Sequence, residues 1–108
     1  MVKRILHIKN MTFVGPPTKQ IGKVAICTGS GSSFMDLARK KGADLYITGD
    51  IKYHTAIDAQ ELDLALIDAG HYATEIIAIP FLARFIKKHF QDEVEILELT
   101  EDDPFSYI

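Results

Sequence analysis

Leu64-Ala-Leu-Ile-Asp-Ala-Gly-His-Tyr-Ala-Thr-Glu75 decides how the chain is read. Its first four residues form an apolar run of strand length, and Asp68-Ala-Gly70 then supplies a turn before residues suited to a helix. His71 and Glu75 would therefore stand where the C-terminal end of a strand opens into a helix. Residues four apart on a helix are neighbours, with Cβ atoms roughly 5 to 6 Å apart, so an imidazole and a carboxylate at this spacing can grip one divalent ion. The alternative is a surface histidine beside a solvated glutamate. Spacing alone does not choose between them.

Working outward, two further apolar runs precede this one, at Lys23 to Thr28 and Asp44 to Thr48, and a fourth is expected at Glu93 to Leu99. Helical segments separate them. Ser32 or Ser33 can cap a helix running to about Lys41, where Gly42 supplies a stop, and a second helix is expected over Tyr53 to about Glu61. The third helix should begin near Tyr72 to Thr74 and reach Lys88 or His89, with Phe81, Leu82, Phe85 and Ile86 at helical spacing. Pro80 interrupts it, either by kinking it or by setting off His71 to Ile79 as a separate turn. This alternation predicts an α/β fold, a mainly parallel sheet with flanking helices. Arg4 to His7 and Met11 to Val14 are expected as short N-terminal edge strands. Residues 1–20 are thus read as edge strands or linker, and 21–108 as the α/β domain.

Composition bounds the function classes. A chain of 108 residues with 47% apolar and 25% charged residues has an ordinary globular balance, and at this length folding buries roughly two thirds of the unfolded surface. Nothing approaches the roughly 20 apolar residues of a spanning helix, and no signal-peptide stretch opens the chain, so a cytoplasmic location is expected. The net charge of -3 supplies no positive field for phosphate backbones, which makes nucleic acid a poor partner. The single Cys27 reads as a small buried hydrophobe. His7 and His89 receive no role.

In a parallel sheet the loops after the strands meet on one rim, the usual ligand site of open α/β folds. The first such loop holds Gly29-Ser-Gly-Ser32, whose backbone N–H groups and hydroxyls can face a phosphate or carboxylate, although it lacks the Gly-Lys-Ser/Thr ending of a phosphate loop. A plain tight turn is the alternative. The second loop puts Asp50, Lys52, Tyr53 and His54 together. Asp50 can accept a proton, bind metal or cap the next helix, His54 can shuttle a proton, and Lys52 can meet an anion. Asp68, in the third loop, can instead bond nearby backbone.

Val24-Ala-Ile-Cys-Thr-Gly-Ser-Gly-Ser-Ser33, Ala43-Asp-Leu-Tyr-Ile-Thr-Gly-Asp-Ile-Lys-Tyr-His54 and Ile67-Asp-Ala-Gly-His-Tyr-Ala-Thr-Glu75 together resemble the Nif-three-like family, also called dinuclear-metal-centre proteins and GTP cyclohydrolase type-two homologues. The resemblance runs from about Ile21 to Asp103-Pro-Phe105 and covers the C-terminal half of a family member, as an excised domain or a naturally short protein. It implies two divalent ions (zinc, manganese or iron) in a cleft between two α/β halves, with His71 and Glu75 as the late ligands. The family's other ligands, an adjacent His-His pair and a downstream Asp, come from the first half, and this chain has no His-His dipeptide, so the ion sites are expected to stand unoccupied in this chain unless Asp50, His54, Asp68 or a separate first-half chain completes them. The resemblance further implies a homo-oligomer and a hydrolase-like site for a small molecule, with Asp50 and His54 as catalytic candidates and Gly29, Ser30, Gly31, Ser32, Lys52 and Tyr53 as substrate contacts. A non-enzymatic metal-handling or protein-binding scaffold is the alternative.

Overall fold

A computed structural model describes residues 1–106. Its elements are α1 (Val2–Ile5), β1 (Thr12–Val14), β2 (Val24–Ser30), α2 (Met35–Lys40), β3 (Leu45–Gly49), α3 (Tyr53–Glu61), β4 (Ala65–Asp68), α4 (His71–Ile76) and α5 (Ala78–Phe90), with short 3-10 turns at Ser32–Phe34 and Gln91–Glu93. The four strands form one sheet in the order β1-β4-β3-β2. β2, β3 and β4 run parallel, and β1 closes one edge antiparallel to β4. The fold is therefore α/β with a mixed, mostly parallel sheet.

Alternation along the strands sorts their side chains onto two faces. Tyr46 and Leu66 point to the side covered by α2 and α3, where Met35, Ala38, Ala59 and Leu64 complete the main core. Leu66 is fully enclosed, and burial of such a side chain contributes about 1.5–3 kcal/mol. Ile47 and Ile67 point to the opposite side and meet Val2, Leu6, Ile8 and Met11. Cys27 is half-buried against the main core.

Several expectations are corrected. Arg4 to His7 is not a strand: Val2–Ile5 forms one helical turn, because Val2 and Leu6, four apart, both pack on the Ile47–Ile67 side of the sheet. The expected edge strand at Met11 to Val14 is present as β1. Glu93 to Leu99 is not a strand either; it runs without a ladder partner, Leu97 and Leu99 facing solvent. Neither Ser32 nor Ser33 caps α2 by its side chain, since a 3-10 turn intervenes. Asp50 does not cap α3 either, whose N-cap is Lys52.

The third helix breaks at Ile77, and this places Pro80 in the first turn of α5. There its missing N–H is one of the groups a helix start leaves unpaired anyway. α5 packs chiefly on α4 and on the turn that follows it. The radius of gyration is 16.2 Å against about 13 Å for a compact chain of this size. Phe81 and Phe85 lie exposed along α5. Among the described residues, no helix is long and apolar enough to cross a membrane.

Candidate functional site

The parallel strands deliver their C-terminal ends to one rim, and glycines let the loops there approach closely. Gly31 donates its N–H to the Thr48 hydroxyl at 2.9 Å and accepts at its carbonyl from the Tyr46 hydroxyl at 2.8 Å. Thr48 in turn donates to the Gly29 carbonyl at 3.1 Å. A Cβ on Gly31 would lie 2.4 Å from Thr48 Oγ1, and one on Gly49 would lie 2.6 Å from the Gly70 carbonyl carbon and the His71 nitrogen. Larger residues do not fit at either position. Burial pushes the Tyr46 phenol up to about 12, with the neighbouring Cys27 adding to the shift.

Gly29 has φ +63 and sits where the β2–β3 register shifts. That conformation turns its N–H to the Thr74 hydroxyl at 2.8 Å, so the end of β2 is tied to the first turns of α4. Thr74 is buried, and its oxygen also lies 2.9 Å from the Gly70 and His71 carbonyls.

His71, at the start of α4, lies between two carboxylates. Asp50, in the left-handed region at φ +56, directs Oδ2 to within 2.6 Å of His71 Nδ1. Glu75 Oε2 lies 3.1 Å from Nε2, one helical turn on. The bond to Asp50 is the main reason the imidazole is held above the ordinary histidine range; desolvation opposes it and the Glu75 charge supports it. A Cβ on Gly29 would stand 2.2 Å from Glu75 Oε1 and 3.1 Å from His71 Nε2. The absent side chain thus leaves a notch at the two donor atoms.

A cavity of about 1040 Å³ opens beside this pair. Asp50, Asp68, His71, Tyr72 and Glu75 form one wall, and Leu99, Glu101, Asp103 and Phe105 of the C-terminal segment form the other. Tyr72 donates its hydroxyl to the Glu101 carbonyl and so joins the walls. Lys52, Tyr53 and His54 are exposed around the start of α3 and do not line this cavity; nor do Gly29, Ser30, Gly31 and Ser32. Tyr53 meets His54 edge to face at 5.7 Å. Thr48, Thr74, Tyr72 and residues 99–106 are given no site role by the sequence. Only hydroxyls at a strand end and a helix start hinted at the first two, and the cavity's outer wall left no periodic signal.

His71 and Glu75 stand at ion-pair distance, close to the separation that two ligands of one ion need. Tetrahedral ligand atoms about 2.0–2.2 Å from a metal stand roughly 3.4 Å apart, and here the separation is 3.1 Å. Among the described residues, however, no group of three or more His, Cys, Asp or Glu side chains is placed to hold a metal. Asp50 engages the other ring nitrogen, and both oxygens of Asp68 accept backbone N–H groups, from Ile51 at 2.9 Å and Gly70 at 3.0 Å. The expected completion of the ligand set by these aspartates is therefore not found.

Comparison with known proteins places these features in a family context. A "GTP cyclohydrolase 1 type 2 homolog" of Clostridium perfringens is 37% identical over 109 residues, covering 100% of this chain and 42% of that protein. The protein of the same name from Bacillus subtilis is 33% identical, covering 99% of this chain and 30% of its own length. The crystal structure of a Bacillus cereus protein related to NIF3 superposes with a TM-score of 0.88 at 32% identity, over 98% of this chain and 30% of that one. The chain thus spans less than half the length of these relatives. The family model described as Duf34/NIF3 (NGG1p interacting factor 3) matches residues 1–104, so the match includes the N-terminal segment before Ile21, and the chain belongs to that family.

Proposed function

We propose that this chain supplies one side of a divalent-metal site in a hydrolase-like protein, with His71 and Glu75 as ligands. The observation that carries this reading is the 3.1 Å approach of His71 Nε2 to Glu75 Oε2 beside the notch at Gly29. Two donors fall short of the four ligands of a closed zinc site. The remaining ligands would come from outside these residues, which span less than half the length of their relatives. Zinc, manganese or iron, when bound, would supply Lewis acidity and a water of lowered pKa. His71 and Glu75 would hold the ion, Asp50 would orient the imidazole, and the cavity wall from Leu99 to Phe105 would screen a small substrate from water. Asp50 and His54 remain the proton-transfer candidates, His54 only for a substrate that extends past the cavity. Lys52, Tyr53 and the Gly29–Ser32 turn would meet that same extension. The cytoplasm is the compartment we assign.

A second reading, a metal-handling or partner-binding scaffold, is favoured by the exposed apolar face of α5 at Phe81 and Phe85. Metal content and turnover distinguish the two. Protein grown with zinc, manganese or iron should bind ion, and His71→Ala should lose it. An unchanged ion content in His71→Ala would sink the metal reading. Bound ion without turnover across nucleotide and phosphoester panels would favour the scaffold.

A further inference from the structure

We propose that Asp68 and Asp50 act in series as positioning residues that fix His71 in the tautomer protonated at Nδ1, leaving the Nε2 lone pair aimed at the Gly29 notch. The benefit to an ion rests on the metal reading above; the tautomer itself does not. Asp68 ends β4 and is partly buried. Its two oxygens take the N–H groups of Ile51 and Gly70 at 2.9 and 3.0 Å, and these residues directly follow Asp50 and directly precede His71. One rigid carboxylate therefore sets the spacing of the two loops that carry the interacting side chains. The φ of +56 at Asp50, which aspartate adopts more readily than most residues, completes the aim of its carboxylate.

Ionised carboxylates only accept hydrogen bonds, so both flanking groups compete for the proton of a neutral ring. Asp50 stands at 2.6 Å and Glu75 at 3.1 Å. Charge-assisted bonds are strongest at the shorter distance, which puts the proton on Nδ1. The nitrogen left bare is the one beside Glu75. Carboxylates that bond the far nitrogen of a metal-binding histidine commonly set its orientation and basicity in this way.

The test reads the ring nitrogens of His71 by 15N NMR in metal-free protein, at a pH where the ring is neutral. The Nδ1–H form should predominate. Asp50→Gly removes the acceptor without backbone strain and should shift the ring toward Nε2–H. Asp68→Asn should do the same from one residue further away, because its amide nitrogen would face one of the two N–H donors. The double variant should match Asp50→Gly alone, as expected for residues in one chain of influence. A wild-type ring mainly in the Nε2–H form would overturn the proposal, as would an additive double variant. Should Asp68→Asn fail to fold, Asp50→Gly, on an exposed loop, still tests the tautomer. Zinc affinity measured in parallel should fall by roughly 10- to 100-fold in each variant. If the tautomer shifts while zinc affinity holds, positioning stands and the metal reading fails.

Discussion

Replacing Gly29 with alanine separates the ion seat from the fold. Gly29 has φ +63, and a side chain in the left-handed region costs roughly 1–2 kcal/mol. For a domain of about this size that lowers Tm by about 4 to 16 °C, at about 4–8 °C per kcal/mol. The new methyl group would also fall 2.2 Å from Glu75 Oε1. Glu75 is a flexible, half-exposed side chain, so it would swing away at little further cost to stability. Ion binding should suffer instead. Gly42→Ala provides the control: its φ is +80, and its added Cβ meets only the Lys23 amine, at 3.6 Å. Both variants should melt earlier by similar amounts, while only Gly29→Ala should lose zinc affinity in a calorimetric titration, by roughly 10-fold or more as for other perturbed metal sites. Equal zinc affinity in the two variants would refute the notch as the seat of the ion.

Other outcomes follow from the same geometry. Thr48→Val strips a partner from both the Gly31 N–H and the Gly29 carbonyl, at about 1–3 kcal/mol for each buried group left unpaired. Tyr46→Phe should cost less, about 0.5–1.5 kcal/mol, because the Gly31 carbonyl keeps its bond from the Phe34 N–H; chemical denaturation of both variants checks the order. The folded-state value of about 12 for Tyr46 lies above its ordinary 10.0, so folding favours the neutral phenol. Its stabilising contribution is then complete below pH 10 and is lost as pH rises through 12; Tyr46→Phe should flatten that alkaline limb in melting curves. Phe81→Ser with Phe85→Ser should shift sedimentation toward the monomer if the exposed face of α5 joins copies of the chain, and unchanged self-association would assign that contact elsewhere.

The three parallel strands were legible because each apolar run is short and ends at Gly or Asp, and Gly42 marked a helix stop that recurs at φ +80. Glu93 to Leu99 misled because alternating apolar residues favour an extended chain without specifying a neighbour for it. Arg4 to His7 misled because the spacing that mattered, Val2 to Leu6, began before the run that looked like a strand. At the site, His71 and Glu75 were readable from their separation of four. Asp68 was readable as a strand-end residue that bonds nearby backbone, as it does at Gly70; its second bond, to Ile51, and the contact of Asp50 with His71 were not, since they depend on two loops meeting across strand ends and on a left-handed residue. Thr74 was hidden for the same reason: its partner, Gly29, is distant in sequence.

The clearance at Gly31 and Gly49 changes how a saturation mutagenesis map of this protein would look. Both positions should tolerate almost nothing, although neither contributes a chemical group. Substitutions there would pry the loops apart and displace His71 and Glu75 without removing either side chain. A map ranked by severity would therefore place structural hinges among the reactive residues, and only a second axis, such as retained ion affinity or tautomer, would sort His71 and Glu75 from the backbone that brings them together.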